Sequence, residues 1–255
     1  MKFTTTKMIR IISFFIFIAI GISFFQTEIL LQNKDIALSG TLSQTKASTN
    51  LVIWIHGSGD VDRNGNQKSA NIKANYIKQI RDSLNKKDIA FFSYDKRTAN
   101  PTNKELLQGT LLDDFVADVE VVIAYFKKQK QFKNITLIGH SQGSLIAMLA
   151  SEGIDKYVSL AGPSDKIDRT IVKQLTAQNA ELAKVAEAHF KELSETGNIK
   201  EVNPFLSSVF TKPNLPFLKN WMQYDPLKEI EKLETPLLII NGDKDLQVKP
   251  ADAQA

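Results

Sequence analysis

The pentapeptide GHSQG at residues 139–143 is the stretch that decides the fold. It follows a short apolar run, ITLI at residues 135–138, and precedes SLIAMLA at residues 144–150, which has the character of a helix. A G-x-S-x-G pattern between a strand and a helix is typical of a sharp turn that exposes a nucleophilic serine. The pattern therefore predicts that Ser141 is a nucleophile at the end of a buried strand.

Apolar runs typical of buried strands lie on both sides of this turn. They are short and rich in β-branched or aromatic residues, and they occupy residues 29–31, 36–42, 51–55, 89–94, 135–138, 157–160 and 237–240. Segments with helical periodicity lie between them, the clearest having an apolar stripe from Leu112 to Phe126. Alternation of strand and helix predicts an α/β fold with a doubly wound, mostly parallel sheet.

The alternation is interrupted once, between residues 161 and 237. The interrupting stretch is helical and charged from residue 167 to residue 193, and prolines follow at Pro204, Pro213, Pro216 and Pro226. A segment of this length between neighbouring strands is too long for an ordinary loop. We expect residues 164–235, the cap segment, to be a helical insertion that covers the active site. The core then comprises residues 26–163 and 236–255.

The N-terminus has the features of an export signal. Lys2, Lys7 and Arg10 precede an apolar run at residues 11–25, which is shorter than the roughly 20 residues of a membrane-spanning helix. Gly21 and Ser23 form a small-x-small pattern, so cleavage after Ser23 is expected. The alternative is an uncleaved N-terminal membrane anchor. We therefore expect residues 1–25 to direct the protein to the periplasm or the exterior, or to anchor it to a membrane.

The composition excludes several kinds of site. The chain has no cysteine, which removes disulfides, thiolate metal sites and a cysteine nucleophile. Its net charge is +4, and its lysines are scattered among acidic residues, so nucleic-acid binding is not predicted. The stretch DVDRNG at residues 60–65 resembles the start of a calcium loop, but its twelfth position is Asn71 where a glutamate is expected. We predict a turn at Asn64 and Gly65, and no metal or cofactor.

A second glycine-containing turn, HGSG at residues 56–59, directly follows the predicted strand LVIWI. An H-G-x-G turn places backbone N–H groups beside a serine nucleophile. We expect the amides of Ser58 and Gln142 to form an oxyanion hole, which stabilises the negatively charged oxygen of a tetrahedral intermediate. We interpret the His56 ring as a brace for its turn and not as a general base. The residues that support the two motifs are His56, Gly57, Gly139, His140 and Gly143.

A carboxylate after a late strand is the expected partner of a catalytic histidine. The strand LLII at residues 237–240 is followed by Asp243 and Asp245. Asp245 lies three residues past Gly242, beyond the strand end, where its side chain can turn towards a histidine. We therefore prefer Asp245 and keep Asp243 as the second candidate.

From Leu38 onward the chain resembles bacterial hydrolases of the α/β-hydrolase superfamily, in the serine-aminopeptidase-like or dienelactone-hydrolase-like branch. The resemblance implies the α/β-hydrolase fold, a helical cap, and hydrolysis of a small ester or amide through an acyl-enzyme. It also implies that Asp245 is the acid of the catalytic triad of serine, histidine and acid. The segments that carry the resemblance are HGSGDVDRNGN (56–66), FSYDKR (92–97), LIGHSQGSLIA (137–147), SLAGPSD (159–165), LKNWMQYDP (218–226) and PLLIINGDKDLQV (236–248).

The histidine that would act as general base with Ser141 and Asp245 is missing from the residues named above. His56 and His140 belong to the motifs above, and His189 lies in the cap segment, from which a ring rarely comes within the roughly 3 Å that a base requires. In the order serine, acid, histidine, the base follows Asp245. We expect the catalytic histidine, together with a last strand and helix, to be encoded beyond residue 255, and the chain to be nearly inert without them. The alternative is a non-catalytic protein of the same fold that binds an acyl ligand.

Overall fold

The computed structural model describes residues 24–255. Its strands are β1 (Phe25–Asn33), β2 (Ile36–Gln44), β3 (Asn50–Ile55), β4 (Asn66–Gln67), β5 (Ile72–Lys73), β6 (Ile89–Tyr94), β7 (Asn134–His140), β8 (Lys156–Leu160) and β9 (Leu237–Ile240). Its α-helices are α1 (Tyr76–Asn85), α2 (Leu112–Gln129), α3 (Gln142–Leu149), α4 (Ile167–Thr176), α5 (Ala180–Thr196), α6 (Leu215–Trp221) and α7 (Pro226–Ile230). Short 3-10 helices occupy Pro101–Leu106, Pro204–Leu206, Lys212–Asn214 and Pro250–Ala253.

Within residues 24–255, seven of the strands form one sheet in the order β1-β2-β6-β3-β7-β8-β9. The leading strands β1 and β2 are antiparallel to their neighbours, and the strands from β6 to β9 are parallel. The prediction of a mostly parallel sheet is therefore confirmed. Strands β4 and β5, of two residues each, form a separate hairpin that the sequence did not predict.

The sheet is covered on both faces, as the alternation along β3 shows. Leu51, Ile53 and Ile55 point into a large apolar core shared with α2 and α3. Val52 and Trp54 point to the opposite face, where they pack with Ile77 of α1 and with Phe91. Successive side chains of a strand point to opposite faces, so a strand buried on both sides is apolar throughout. This explains why LVIWI has no polar residue.

Helix α2 begins and ends where its charges suit the helix dipole. Asp113 and Asp114 lie in its first turn, and Lys127 and Lys128 lie in its last turn. Negative groups are favourable near a helix N-terminus and positive groups near its C-terminus. The Asp114 carboxylate also accepts a hydrogen bond from the Leu111 amide at 2.8 Å, which caps one of the free N–H groups at the start.

The cap segment is helical but is divided differently from the predicted continuous stretch at 167–193. The helix breaks after α4, and α5 starts anew with Asn179 as its N-cap, whose side chain accepts a hydrogen bond from the Leu182 amide at 3.0 Å. An asparagine side chain at this position satisfies a backbone donor that the new helix leaves free. The segment has an apolar cluster of its own, formed by Ala186, Phe190, Leu193, Ile199, Leu206, Phe210, Leu215 and Leu218.

Polar contacts join the cap segment to the start of α2. The Leu112 amide donates to the Asn220 side chain at 2.9 Å, and the Tyr224 hydroxyl donates to the Asp113 carboxylate at 2.5 Å. Burial and the neighbouring carboxylate of Asp113 raise the pKa of Tyr224 to about 12, so its hydroxyl keeps its proton. These bonds fasten the segment around residues 220–224 to the core.

The predicted export or anchor segment lies outside the described residues, apart from its end. Phe25, its last predicted residue, is the first residue of β1. The first strand therefore begins one residue before the predicted core boundary. Among residues 24–255, no helix combines the length and the hydrophobicity that a membrane crossing requires.

A buried ion pair connects the loop after β6 to α2. The Arg97 guanidinium donates from Nε and Nη2 to the two carboxylate oxygens of Asp118, at 2.7 and 2.8 Å. The Asn33 side chain donates to the same carboxylate at 2.9 Å. Both charged side chains are almost fully buried. Removing one partner of such a pair leaves an uncompensated buried charge.

We predict that Asp118→Ala destabilises the protein by about 3 kcal/mol, the lower end of the range for a broken buried pair, because the buried Arg97 charge then keeps only the partly exposed Asp114 carboxylate at 3.7 Å. Glu181→Ala is the matched control, since Glu181 pairs with Lys184 at a site where both side chains are largely exposed. That variant should lose about 0–1 kcal/mol. Urea unfolding curves would measure both changes, and equal losses in the two variants would contradict the assignment.

Candidate active site

Ser141 occupies the turn between β7 and α3 in an unusual backbone conformation, with φ 53° and ψ −120°. A non-glycine residue with positive φ is uncommon and stores strain of order 1–3 kcal/mol. The turn is held on both sides, since the Ser141 amide donates to the Leu160 carbonyl at 3.0 Å and the Ser141 carbonyl accepts from the Ser144 amide at 2.9 Å. The side chain therefore projects from a fixed turn at the carboxyl end of a central strand.

The two glycines of the motif allow backbone segments to approach one another closely. A Cβ on Gly139 would lie 2.3 Å from the Gly143 carbonyl oxygen. A Cβ on Gly143 would lie 2.3 Å from the carbonyl oxygen of Ile55, at the end of β3. Neither position has room for a side chain, because the atoms met are backbone. The spacing of glycines around Ser141 thus follows from the packing of β3, β7 and α3.

The HGSG turn lies directly against the serine. A Cβ built on Gly57 would lie 3.4 Å from the Ser141 Cβ and 3.1 Å from the His140 Nδ1. Ser58 is the next residue along this turn, and Gln142 is the first residue of α3. The structure therefore brings together Ser141 and the two residues predicted to supply oxyanion donors.

A lysine that the sequence analysis left without a role joins the same group. Lys96 lies in the loop after β6 and is 4% exposed. Its Nζ donates to the Gly57 carbonyl and to the Gln142 side-chain oxygen, each at 2.7 Å, and lies 4.7 Å from the centre of the Phe115 ring. Burial lowers the pKa of Lys96 to about 7, an effect that the charge of Asp118 opposes. The sequence signal was a charged residue just past a buried strand, at the edge of the sheet where Ser141 lies.

A cavity of about 640 Å³ opens beside this group, between the core and the cap segment. Ser58, Lys96 and Gln142 line it on the core side. Apolar residues of the cap segment form much of the opposite wall, among them Phe217, Leu218 and Trp221 of α6. Ligand sites are commonly mostly apolar clefts with a few convergent polar groups, and this cavity has that character.

Asp245 lies in the loop after β9. Its Oδ1 accepts hydrogen bonds from the amides of Gln247 at 2.8 Å and Val248 at 3.1 Å, which closes the loop on itself. Asp245 is also close enough for its charge to act on His140. Burial lowers the pKa of His140, and the charge of Asp245 opposes that shift. Asp243, the second candidate, is exposed.

Each of the three histidine rings packs in a structural position. His56 is buried edge-on against the Tyr94 ring, with 5.1 Å between the ring centres, and His140 stacks on Trp54 at 6.0 Å. His189 accepts a hydrogen bond from the Asn203 amide at 3.1 Å and contacts Phe210 inside the cap segment. Within residues 24–255, none of the three rings is hydrogen-bonded to the Ser141 hydroxyl.

The loop that resembles a calcium site uses its carboxylate to order its own backbone. Asp62 Oδ1 accepts from the amides of Asn64 and Asn66, at 2.8 and 2.9 Å. The predicted turn is present, since the Gly65 amide donates to the Asp62 carbonyl at 3.0 Å. Across residues 24–255, no group of three or more histidine, cysteine, aspartate or glutamate side chains has the geometry to hold a metal ion.

Comparison with known proteins identifies the family of this chain. The sequence profile of the family described as BD-FAE matches residues 35–255. The chain belongs to the BD-FAE family. Esterase EstD of Thermotoga maritima is 26% identical over 238 residues, which are 88% of this chain and 54% of that protein. This BD-FAE chain therefore spans about half the length of the curated relative that it matches.

Solved structures similar to the BD-FAE chain share its fold. The Pyrococcus furiosus esterase Pf2001 superposes with a TM-score of 0.58 at 18% identity, covering 91% of this chain and 76% of that chain. Est1E from Butyrivibrio proteoclasticus gives a TM-score of 0.56 at 17% identity, covering 88% of this chain and 81% of that chain. The Pyrococcus horikoshii acylaminoacyl peptidase gives a TM-score of 0.55 at 16% identity, covering 91% of this chain and 34% of that chain. The predicted α/β-hydrolase fold is confirmed.

We predict that Gly143→Ala destabilises the protein by about 3 kcal/mol, at the upper end of typical overpacking, because the new methyl group meets backbone on the end of β3. Gly242→Ala is the control, since a Cβ there meets its nearest atoms at 3.8 Å. That variant should stay within about 0.5 kcal/mol of the wild type. Chemical denaturation measures both changes, and a stable Gly143→Ala protein would contradict the close approach.

The buried His56 ring predicts a specific loss of stability in acid. Burial, aided by the charges of Lys96 and His140, lowers the pKa of His56 from 6.5 to about 3. The unfolded state therefore binds this proton more tightly, and stability present above pH 6.5 is lost as the pH falls towards 3. Between pH 7 and pH 4 the wild type should lose on the order of 3 kcal/mol more than His56→Gln. Urea unfolding at both pH values tests this, and parallel losses would refute it.

Proposed function

We propose that the chain is a serine hydrolase that cleaves a carboxylic ester or amide through an acyl-enzyme on Ser141. The observation that carries the proposal is the strained conformation of Ser141 at the turn between β7 and α3, with the Gly57 turn packed against it. This arrangement exposes a hydroxyl beside backbone N–H groups that have a helix N-terminus behind them.

The proposed reaction begins with attack of the Ser141 Oγ on the carbonyl carbon of the substrate, while a histidine base takes the hydroxyl proton. The negative oxygen that forms is held by the amides of Ser58 and Gln142. The leaving group then departs with the proton from the base. Water hydrolyses the acyl-enzyme by the same route and frees Ser141.

Asp245 is the proposed acid that orients the histidine. Its Oδ1 is engaged by the amides of Gln247 and Val248, so Oδ2 is the oxygen proposed to face the ring. Its electrostatic effect on His140, the neighbour of Ser141 in the chain, supports a location beside the nucleophile.

An ester is the first candidate substrate and an amide the second. Two of the similar proteins described above are named esterases and one is named an acylaminoacyl peptidase. The cavity beside Ser58 and Gln142 supports a small molecule with an apolar part that packs on the aromatic residues of α6.

The second candidate function is binding of an acyl ligand without turnover. The packing of His56, His140 and His189 in structural positions favours it, because removal of the base leaves only weak residual catalysis in serine hydrolases.

We expect an excess of a fluorescent alkyl fluorophosphonate to label the protein slowly at Ser141, at the residual rate that the oxyanion donors support without a histidine base. The serine oxygen bonds to phosphorus, fluoride leaves with the electron pair, and the hydroxyl proton is lost. Ser141→Ala should remove the label, whereas Ser83→Ala, on the exposed side of α1, should keep it. Peptide mass mapping identifies the labelled residue. Label that persists in Ser141→Ala would overturn the proposal, and absence of label on the wild type would favour the binding function.

A further inference from the structure

Lys96 connects the two turns that flank Ser141 through a single atom. Its Nζ donates one hydrogen bond to the Gly57 carbonyl, on the turn after β3, and another to the side-chain oxygen of Gln142, at the start of α3. Both bonds are 2.7 Å long, and the lysine is almost fully buried. Strongly hydrogen-bonded groups in a buried site fix the relative position of the segments that carry them.

The first of these bonds acts on the peptide unit that supplies the Ser58 amide. The Gly57 carbonyl and the Ser58 N–H belong to one planar peptide group. A donor on the carbonyl therefore fixes the plane in which the N–H lies. It also polarises the unit, and hydrogen bonds in a chain strengthen one another, so the Ser58 N–H becomes a better donor.

The second bond acts on the residue that supplies the other amide. Gln142 is 3% exposed, and its side-chain oxygen is held by Lys96. The backbone N–H of Gln142 is at the free N-terminus of α3, where it has no partner within the helix. Fixing the Gln142 side chain fixes the first turn of α3 relative to the Gly57 turn. The distance between the two proposed oxyanion donors is thereby set.

The lysine can make both bonds whether or not it carries a proton. A neutral amine has two N–H donors and an ammonium has three, and the face of the Phe115 ring covers the remaining side. The shift that burial causes in the pKa of Lys96, to about 7, therefore does not break the link.

We propose that Lys96 is a positioning residue for acyl transfer, which holds the Gly57–Ser58 peptide and the start of α3 so that the amides of Ser58 and Gln142 converge on one oxygen. This inference rests on the function proposed for Ser141. It assigns to Lys96 a role in the rate of the covalent step and not in the affinity for the ligand.

The test compares the full chain with Lys96→Met, which keeps the length of the side chain but has no donor. Lys104→Met, in an exposed 3-10 helix, is the matched control. Three quantities are measured: the rate constant of phosphonylation of Ser141 at saturating fluorophosphonate, the half-saturating concentration of fluorophosphonate, and the hydrogen-exchange rate of the Ser58 amide by NMR. We expect Lys96→Met to lower the phosphonylation rate constant at saturating fluorophosphonate about 10- to 100-fold. Displacing an oxyanion donor should slow the reaction by up to about as much as removing that donor.

The half-saturating concentration should change less than about twofold, because Lys96 acts on the transition state and binding is unaffected. The Ser58 amide should exchange at least about 10-fold faster, as expected for a turn that has lost its anchor. Lys104→Met should match the wild type in all three quantities. If Lys96 had a purely structural role, Lys96→Met would instead lower the melting temperature. It would not lower the saturating rate while leaving the half-saturating concentration unchanged.

Unchanged phosphonylation and unchanged exchange in Lys96→Met would overturn the inference while leaving Ser141 as the nucleophile. If the wild type is not labelled, the proposed function fails, and the Ser58 exchange rate alone decides whether Lys96 holds the turn. If Lys96→Met does not fold, Gln142→Met removes one of the two links and keeps the backbone amide. That variant should lower the saturating rate at least about 3-fold, and a rate equal to that of the wild type would overturn the inference.

Discussion

The close packing of three backbone segments at the turn between β7 and α3 is the constraint on which the rest of the site depends. Gly143 lies against the carbonyl end of β3, and Gly57 lies against Ser141. The strained φ of Ser141 costs of order 1–3 kcal/mol, and it persists because β3, β7 and β8 hold the turn from several sides. The position of the hydroxyl is therefore set by the central strands of the sheet. A site built on such rigid elements keeps its geometry better than one built on loops alone.

The features that were predictable from sequence are those with a local signal. The sheet strands β2, β3, β6, β7, β8 and β9 each lie within two residues of their apolar runs, whereas β1 begins four residues before its run at 29–31. The G-x-S-x-G pattern marks the strained turn because both of its glycines are in close contact with backbone atoms there. The break between α4 and α5 was missed because the charged helical pattern continues across it, although Asn179 is a recognisable N-cap. The role of Lys96 could not be predicted, since its two bonds reach 39 and 46 residues along the chain. Its position just past a buried strand puts it at the edge of the sheet where Ser141 lies, but that position indicates neither of its two partners.

The cap segment has an apolar cluster of its own, and some of its residues, among them Ile167 and Trp221, also belong to the core cluster. The cap cluster centres on α5 and the residues that lead to α6, whereas the sheet packs on α2 and α3. The two parts meet at polar bonds to the start of α2 and along the apolar wall of the cavity. Residues on that wall can therefore alter the shape of the cavity without touching the packing that strains Ser141. This separation of shape from chemistry is consistent with the way in which one fold accommodates many substrates.

The electrostatic character of the site follows from burial. Burial lowers the pKa of His56 to about 3 and that of Lys96 to about 7, so the first ring is neutral at pH 7 and the lysine carries only part of a charge. Oriented dipoles lie beside Ser141: the N–H groups of the Gly57 turn and the N-terminus of α3. Fixed dipoles in a site that excludes water stabilise a developing negative charge without having to reorient, which is why their alignment matters more than their number. A lysine that aligns two of them contributes through geometry, and its own charge is secondary.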